Sequence, residues 1–378
     1  MKKLTIIIVS YNVRYYLEQC IVSALRATRD IDSDIYVVDN ASKDGTVEYI
    51  SQRFGNRITL IESQHNLGFA RANNIAIRQT QSEYVLLLNP DTFVGEQTIV
   101  QVLSFMDAHP QSGGVGVMMH NADGTRARES RRGLPTPWVS LLKMMGRSER
   151  YYMSHLSWDE PAQIEVMSGA FCMLRRKVLD EVGLLDEDFF MYGEDIDLSY
   201  RIVKGGYENW YVPAPIVHYK GESTQKSSFR YVHIFYQAML IFFRKHYSHM
   251  SLLVSLPINI AIYLRAFIAL LQMQFWRIRE SLGFYGKQQT ETTFAFVGCR
   301  SMLDECRQLA RRKGLTATFT DTPDNLQTDA NTCIVYDTDS ISFADIIADA
   351  HRRAGGYKFI GTYSTNSRVL LTPYEIFK

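Results

Sequence analysis

Strand-like and helix-like segments alternate over the first 120 residues, and this order leaves few folds open. LTIIIV, at residues 4–9, is a continuous β-branched run, typical of a strand covered on both faces. DIYVVD, ITLIE and EYVLLL are predicted as further strands, and residues 13–27 and GFARANNIAIRQ as helices. Asn12 is predicted to cap the first helix. The order predicts an α/β fold with a mostly parallel, right-handed sheet.

Three of the predicted strands end in polar residues. These residues are Ser10, Tyr11, Asn12, Asp39, Asn40, Asn89 and Asp91. Each alone is explained by a turn or a cap, where Asn and Asp are common. The carboxyl ends of parallel strands share one edge of a sheet, which is where ligands of such sheets bind. The convergence of all three ends therefore favours a ligand site.

Composition limits the classes of function. The 378 residues are enough for two or three domains, and a net charge of +1 gives no general attraction for nucleic acid. The five cysteines have no metal-type spacing, which favours a reduced cytosolic compartment. The N-terminal apolar run is too short for a signal peptide and is interpreted as a strand.

Carboxylates are crowded in the segment FFMYGEDIDLSYRIVKGGY. Glu194, Asp195 and Asp197 lie in the first turn of a predicted helix that ends at Gly205-Gly206. One reading is that Asp195 only caps the helix and complements its dipole. A cap needs one such residue, however, whereas carboxylates crowded beside aromatic residues tend to have raised pKa values, as a general base requires. We therefore favour a catalytic role.

His218 follows an apolar, strand-like segment. A lone histidine is more often structural than a ligand, but Asp91 is a candidate partner because both residues lie at strand ends. A carboxylate and an imidazole, completed by diphosphate oxygens, suit Mg²⁺ or Mn²⁺. Residues 121–165, with the Arg-rich stretch RARESRRGLPTPW, are either a solvated connector or a segment that contacts an acceptor or phosphate.

Residues 251–279 are almost all apolar. Pro257 and Arg265 interrupt any clean span of about 20 apolar residues, and residues 221–290 hold eight Lys or Arg against two Glu. This pattern favours a helix lying in a membrane interface. The alternatives are a helix pair buried against protein and a transmembrane hairpin.

The C-terminal part alternates strand and helix again. TFAFVGC, LTATFTD, NTCIVYD and YKFIGTY are predicted strands, and Gly314 ends a predicted helix. The segment VGCRSMLDEC lacks a Gly-x-Gly-x-x-Gly pattern, so a dinucleotide role has no support. Three regions are predicted: a catalytic domain at 1–245, an apolar helical segment at 246–288 and a small α/β domain of unknown role at 289–378.

Seven stretches in chain order resemble glycosyltransferase family 2, which has the GT-A fold, in its bacterial rhamnosyltransferase-like branch. They are VSYN (9–12), VVDNASKDGT (37–46), NLGFARANN (66–74), LLLNPD (86–91), SGAFCMLRR (168–176), FFMYGEDIDL (189–198) and VHYKGEST (217–224). The resemblance covers roughly residues 4–250. It implies a nucleotide-sugar-binding domain of mostly parallel sheet.

The resemblance also implies roles for individual residues. Asp195 resembles the catalytic base and Glu194 its acidic neighbour, while Asp91 is similar to the last carboxylate of the family's Asp-x-Asp motif, which meets the metal. Asn89 stands where many relatives carry the first Asp of an Asp-x-Asp motif. The residues implied in binding the nucleotide sugar are Ser10, Tyr11, Asp39, Asn40, Asn66, Arg71, Asn89, Asp91 and Gly169.

The predicted function is an inverting, metal-dependent glycosyltransferase of bacterial surface polysaccharide synthesis. The expected donor is dTDP-rhamnose, with a UDP-hexose as the alternative, and the expected acceptor is a saccharide linked to a lipid. The protein is expected to act on the cytoplasmic face of the membrane, with residues 251–279 at the membrane surface, and a homo-oligomer is considered. The alternatives are a catalytically degenerate sugar-nucleotide-binding scaffold subunit and a pyrophosphorylase, whose Gly-rich loop is missing after the first strand.

Overall fold

The computed structural model contains two sheets, each flanked by helices. It describes residues 2–220, 229–247, 260, 263–264, 267–268, 270–272, 274–275 and 291–378. The strands of the first sheet are β1 (Lys2–Ser10), β2 (Ser33–Asp39), β3 (Thr59–Glu62), β4 (Ser82–Leu88), β5 (Thr92–Val94), β6 (Ser112–His120), β7 (Ala162–Ile164), β8 (Phe171–Arg175) and β9 (Glu208–His218). The predicted α/β fold class is confirmed.

The first sheet has the strand order β3-β2-β1-β4-β8-β6-β9-β5, and β7 pairs with β9. Strands β1 to β4 are parallel, as predicted, whereas β8 runs antiparallel to both β4 and β6. Successive side chains of β1 enter different clusters: Leu4, Ile6 and Ile8 pack on one face, and Ile7 and Val9 on the other. The strand is therefore covered on both faces, which explains its unbroken apolar sequence.

Eight helices of the described chain accompany this sheet. They are α1 (Arg14–Ala27), α2 (Thr46–Phe54), α3 (Phe69–Arg78), α4 (Thr98–Ala108), α5 (Pro137–Met144), α6 (Arg176–Val182), α7 (Glu194–Lys204) and α8 (Phe229–Tyr247). The prediction that Asn12 caps α1 is wrong. Val13 is the N-cap residue, and Asn12 instead has a φ of 56° and accepts a hydrogen bond from the Lys43 backbone at 2.7 Å. Its side chain therefore joins two loops.

The second sheet has the order β11-β10-β12-β13-β14-β15. Its elements are β10 (Thr293–Val297), α9 (Arg300–Lys313), β11 (Ala317–Thr320), β12 (Thr332–Asp337), α10 (Phe343–Arg352), β13 (Phe359–Ser364), β14 (Val369–Leu371) and β15 (Ile376–Phe377). The four strands predicted here are confirmed and are parallel. Gly314 ends α9 with a φ of 65°, as predicted.

The second sheet and its helices pack against the first through one shared apolar cluster. Phe93 of β5 contacts Phe343 of α10, with 5.2 Å between ring centroids. The Tyr16 hydroxyl donates to the Thr372 carbonyl at 2.5 Å. The Glu96 carboxylate accepts hydrogen bonds from the backbone of Phe343 and Ala344, each at 2.9 Å. These contacts all lie near β5, the strand that begins directly after Asp91.

The predicted apolar segment 246–288 lies for the most part outside the described residues. The residues described within 260–275 are helical, and their most exposed large apolar side chains are Ile260, Tyr263, Leu264, Phe267, Leu271 and Phe275. Among the residues that the structure describes, no helix is both long and apolar enough to cross a membrane.

Candidate active site

The end of β4 lies beside the start of β8, and this contact joins two of the predicted motifs. The Asn89 backbone N–H donates to the Ala170 carbonyl at 3.0 Å, one position beyond the pairing of Leu88 with Phe171. The neighbouring Gly169 N–H donates to the Asp195 carboxylate at 3.2 Å. A short chain of contacts therefore leads from the Asn89–Asp91 turn to the first turn of α7.

Asp195 is held at the N-terminus of α7 by donors from three segments. Oδ1 accepts from the backbone of Ile196 at 2.8 Å, and Oδ2 accepts from Gly169 and from the Arg132 guanidinium, the latter at 2.5 Å. The Asp195 side chain is 15% exposed and that of Arg132 is 11% exposed. Asp195 is thus a fixed and nearly buried anion whose small open surface faces outward.

Gly193 sets the start of α7. It is the N-cap residue with a φ of 91°, and an added Cβ would lie 2.9 Å from the Phe189 ring. Only glycine takes this backbone conformation readily and also leaves room for the aromatic ring below it. The Gly-Glu-Asp sequence therefore fixes the direction in which Glu194 and Asp195 leave the helix.

The three carboxylates of this turn have different surroundings. Burial raises the pKa of Glu194 to about 8, and the nearby Asp195 charge raises it further. Asp197 is fully buried and accepts from Arg201 at 2.8 Å and from His246 of α8 at 2.7 Å. Burial therefore leaves Glu194 as a neutral acid at pH 7. Asp197 has a structural role, because Arg201 and His246 occupy its carboxylate.

The end of β2 joins the loop before α3. The Asn40 side chain donates to Asn66 at 3.0 Å and accepts from the Leu67 backbone at 2.8 Å. The Phe69 N–H donates to the carbonyl of Phe190, three residues before Gly193. Asn40 and Asn66 thus fix a loop that touches the segment leading to α7.

Asp39 is buried, and only one of its oxygens has a hydrogen-bond partner within the described chain. Oδ2 accepts from the Ser42 backbone at 2.9 Å, whereas Oδ1 accepts from none of the described groups. An unpaired buried carboxylate oxygen is costly unless a donor reaches it. Asp39 therefore suits a ligand that brings an N–H group to this strand end.

The other residues predicted to bind the donor differ in exposure. Ser10 is fully buried at the end of β1, and Tyr11 is half-buried beside it. The Arg71 guanidinium pairs with Glu187 at 3.1 Å. Arg71 would have to leave this pair, which is largely exposed and weak, to contact a diphosphate.

Asp91 and His218 come together, as their positions at strand ends predicted. The His218 Nε2 lies 3.3 Å from the Asp91 Oδ1, and β5 pairs with β9 so that Thr92 faces His218. The His218 Nδ1 is buried and has no hydrogen-bond partner in the described part of the chain. Glu129 lies nearby and forms an ion pair with Lys220. No cluster of three or more His, Cys, Asp or Glu within the described ranges could hold a metal ion by itself.

Sequence reasoning did not single out Arg132. It lies in the Arg-rich segment interpreted as a connector or an acceptor-contacting segment, 63 positions before its partner Asp195. Its backbone carbonyl accepts from Val166 at 2.9 Å, so a β-bridge holds this part of the segment. The cluster of arginines was the available signal, but nothing local distinguishes Arg132 from Arg131, which stacks on Trp158.

Comparison with known proteins establishes the class of protein as a glycosyltransferase. Residues 5–183 match the model of Glycosyl transferase family 2, and this part of the chain belongs to that family, as the resemblance predicted.

Two characterised relatives are similar over different lengths. The N-acetylglucosaminyl-diphospho-decaprenol L-rhamnosyltransferase of Mycobacterium tuberculosis is 28% identical over 276 residues, which are 65% of this chain and 85% of the relative. The low-salt glycan biosynthesis hexosyltransferase Agl10 of Haloferax volcanii is 28% identical over 175 residues, covering 45% of this chain and 53% of that protein.

One solved structure is a mannosyltransferase of Pyrobaculum calidifontis in complex with GDP-Man and Mn²⁺. It superposes with a TM-score of 0.47 at 19% identity, covering 75% of this chain and 81% of that protein.

Proposed function

We propose that this glycosyltransferase inverts the anomeric centre and uses a nucleoside-diphosphate sugar as donor, with dTDP-rhamnose favoured over a UDP-hexose. The acceptor is a saccharide, in our proposal one linked to a lipid in the synthesis of a bacterial surface polysaccharide. The observation that carries the proposal is the Asp195 carboxylate, fixed at a helix N-terminus and linked to the Asn89–Asp91 turn through the hydrogen bonds of Gly169 and Ala170.

Asp195 acts as the general base. It accepts the proton of the acceptor hydroxyl, whose oxygen forms a bond to the anomeric carbon as the bond from that carbon to the diphosphate oxygen breaks. Attack comes from the face opposite the nucleotide, so the configuration inverts. The nucleoside diphosphate leaves with the electron pair of the broken bond. Asp39, together with the loop before α3 that Asn40 and Asn66 fix, holds its nucleoside end. A positioned base contributes roughly 10²–10⁴-fold to the rate.

A divalent cation, Mg²⁺ or Mn²⁺, fits Asp91 and His218. The pair supplies one carboxylate and one imidazole within 3.3 Å of each other, and the His218 Nδ1 has no other use among the described residues. Mg²⁺ usually takes few protein ligands together with substrate phosphates, which agrees with a two-residue site. When bound, such an ion neutralises charge on the departing diphosphate. Asp91 and His218 would hold it at the strand end.

A membrane surface as the place of action is supported by the apolar side chains within 260–275, of which Phe267 is 57% exposed and Phe275 is 59% exposed. Basic residues around them suit anionic headgroups. This position would bring the enzyme to an acceptor that is anchored in the cytoplasmic leaflet.

The chemistry is tested with the purified full chain, a panel of nucleotide sugars and a lipid-linked saccharide. Asp195→Asn should lower turnover by about 10²–10⁴-fold while donor binding, measured by calorimetry, persists. A chelator should abolish transfer in the wild-type protein, and added Mn²⁺ should restore it. Near-normal turnover of Asp195→Asn would refute the base assignment, and full activity in chelator would refute the metal. Donor binding without transfer to any acceptor would favour the scaffold alternative.

Membrane docking has its own test. Full-length protein carrying Phe267→Ser and Phe275→Ser should sediment less with vesicles of anionic lipid than the wild-type protein does, because each change removes exposed apolar area from the proposed contact. Val100→Ser and Val203→Ser, at exposed sites elsewhere, serve as the matched control. Equal sedimentation of all three proteins would contradict the docking surface.

A further inference from the structure

Arg132 touches the proposed base directly, and Asp195 is the carboxylate with which it forms an ion pair. It also interacts with Tyr151. Its guanidinium lies 2.5 Å from the Asp195 Oδ2 and 2.5 Å from the Met167 carbonyl. The side chain is 11% exposed, and its Nε is buried without a hydrogen-bond partner among the residues described. A buried guanidinium is costly unless a carboxylate compensates it, and Asp195 is that carboxylate.

We propose that Arg132 is a positioning residue that keeps Asp195 ionised, so that the single proton of the Glu194–Asp195 pair resides on Glu194. The inference rests on the proposed function, because it assigns a role through Asp195. The two neighbouring carboxylates at this helix start have contrasting environments. Glu194 has one buried oxygen that no described group contacts by a hydrogen bond, whereas Asp195 has a cation and two backbone donors. The arginine therefore decides which of the two carries the charge.

The proton assignment agrees with the other groups around the pair. Within the described chain, the charged or titratable groups that interact with the pair are Arg132, Cys172 and Asp197. Lys143 and Tyr151 interact with Arg132 itself. Burial raises the pKa of Cys172, which stays a neutral thiol, and lowers the pKa of Lys143 to about 8. Glu194, with a pKa raised to about 8 by burial, also titrates on the alkaline side.

Arg132 also fixes the orientation of the base. With Gly169 it occupies the Oδ2 of Asp195, so the remaining lone pairs of the carboxylate are directed to the open surface where an acceptor hydroxyl must arrive. Its own position is fixed because Val166 and Glu165 donate their backbone N–H groups to its carbonyl. Arg132 therefore positions the base, and the segment that holds it is more than a connector.

The experiment compares Arg132→Gln with Arg132→Lys in the transfer assay over a range of pH. Glutamine keeps a donor for Asp195 but loses the charge, whereas lysine keeps the charge. The acid limb of kcat/KM should move upward by about 1–3 pH units in Arg132→Gln and stay near the wild-type position in Arg132→Lys. The donor KM should change little in either variant. Arg131→Met, which alters the adjacent buried arginine without touching Asp195, should leave the limb in place.

An acid limb that moves equally in the Gln and Lys variants, or in neither, overturns the inference. If Arg132→Gln does not fold, Arg132→Lys alone decides. A displaced acid limb of kcat/KM in that variant overturns the inference, and an undisplaced limb with a lowered kcat supports it. The proposed function fails separately: Asp195→Asn, assayed in parallel, retains activity if Asp195 is not the base, whatever the Arg132 variants do.

Discussion

Glu96 joins the two sheets through the N-terminus of α10, and its replacement should loosen that helix. The first four N–H groups of a helix lack partners within it. Here the N–H groups of Phe343 and Ala344 donate to Glu96, and that of Asp345 donates to Ser342 Oγ at 3.1 Å. The N–H of Ile346 makes the first bond within the helix, to the Ser342 carbonyl at 3.0 Å. Glu96→Ala removes both acceptors for Phe343 and Ala344.

The size of the effect follows from these two hydrogen bonds. A hydrogen bond to a charged group contributes about 1.5–3 kcal/mol, and Ala344, which is half-buried, can recover part of this from water. We expect the opening free energy of α10 to fall by about 3 kcal/mol in Glu96→Ala. In Glu96→Gln, where one acceptor oxygen remains, it should fall by roughly half as much.

Hydrogen–deuterium exchange measured by mass spectrometry reports on this helix directly. Amides within Phe343–Arg352 should exchange roughly 100-fold faster in Glu96→Ala than in the wild-type protein. Ser342→Ala is the matched control. It also removes a hydrogen-bond acceptor at the start of α10, but this acceptor belongs to the C-terminal part of the chain and does not connect α10 to the first sheet. Only the Glu96 variant should also speed exchange in Thr92–Val94. Unchanged exchange in α10 of Glu96→Ala would refute the reasoning.

Three further predictions concern the site. Because burial raises the pKa of Glu194 to about 8, the folded protein holds a proton there that the unfolded chain has lost, so wild-type stability falls as pH rises from about 4.5 to 8. Glu194→Gln should remove that dependence. Urea unfolding of both proteins between pH 5 and pH 9 checks this, and a difference between their free energies of unfolding that stays constant over this range would contradict it. Gly68→Ala should lower the free energy of unfolding by roughly 2–4 kcal/mol, because φ is +81° and an added Cβ would collide with the Phe190 carbonyl; a melting temperature within a degree of wild type would contradict this. Asp39→Asn should weaken binding of the free nucleoside diphosphate by roughly 10–100-fold in calorimetry, the loss of one charged hydrogen bond, with turnover at saturating donor little changed; unaltered affinity would remove Asp39 from the nucleotide site.

The sequence predicts best where local pattern and burial agree. β1 and β4 are unbroken apolar runs because both of their faces are covered, and α7 has both a glycine start and an apolar side. Strand β6, SGGVGVMMH, was missed because its three glycines mimic a loop. The structure gives the reason for two of them: side chains at Gly113 and Gly114 would collide with Ile202 and Met167.

The candidate site was predictable at the strand ends and not between them. Asp91 and His218 were paired from sequence because each follows a strand, and register brings strand ends together. The ion pair of Arg132 with Asp195 has no local pattern, since an irregular segment delivers the arginine. The contacts of Glu96 and Tyr16 with the C-terminal part likewise depend on how two sheets pack, which no periodicity encodes.

The bond between Tyr16 and Thr372 spans 356 positions of the chain, and it has a consequence for biosynthesis. The ribosome makes α1 and β5 long before α10 and β14 exist, so the apolar surface around Phe93 has no cover while the intervening chain is translated. A nascent or prematurely terminated chain would display this surface to chaperones and proteases. Complete folding of the strand after Asp91 must therefore wait until Thr372 has left the exit tunnel.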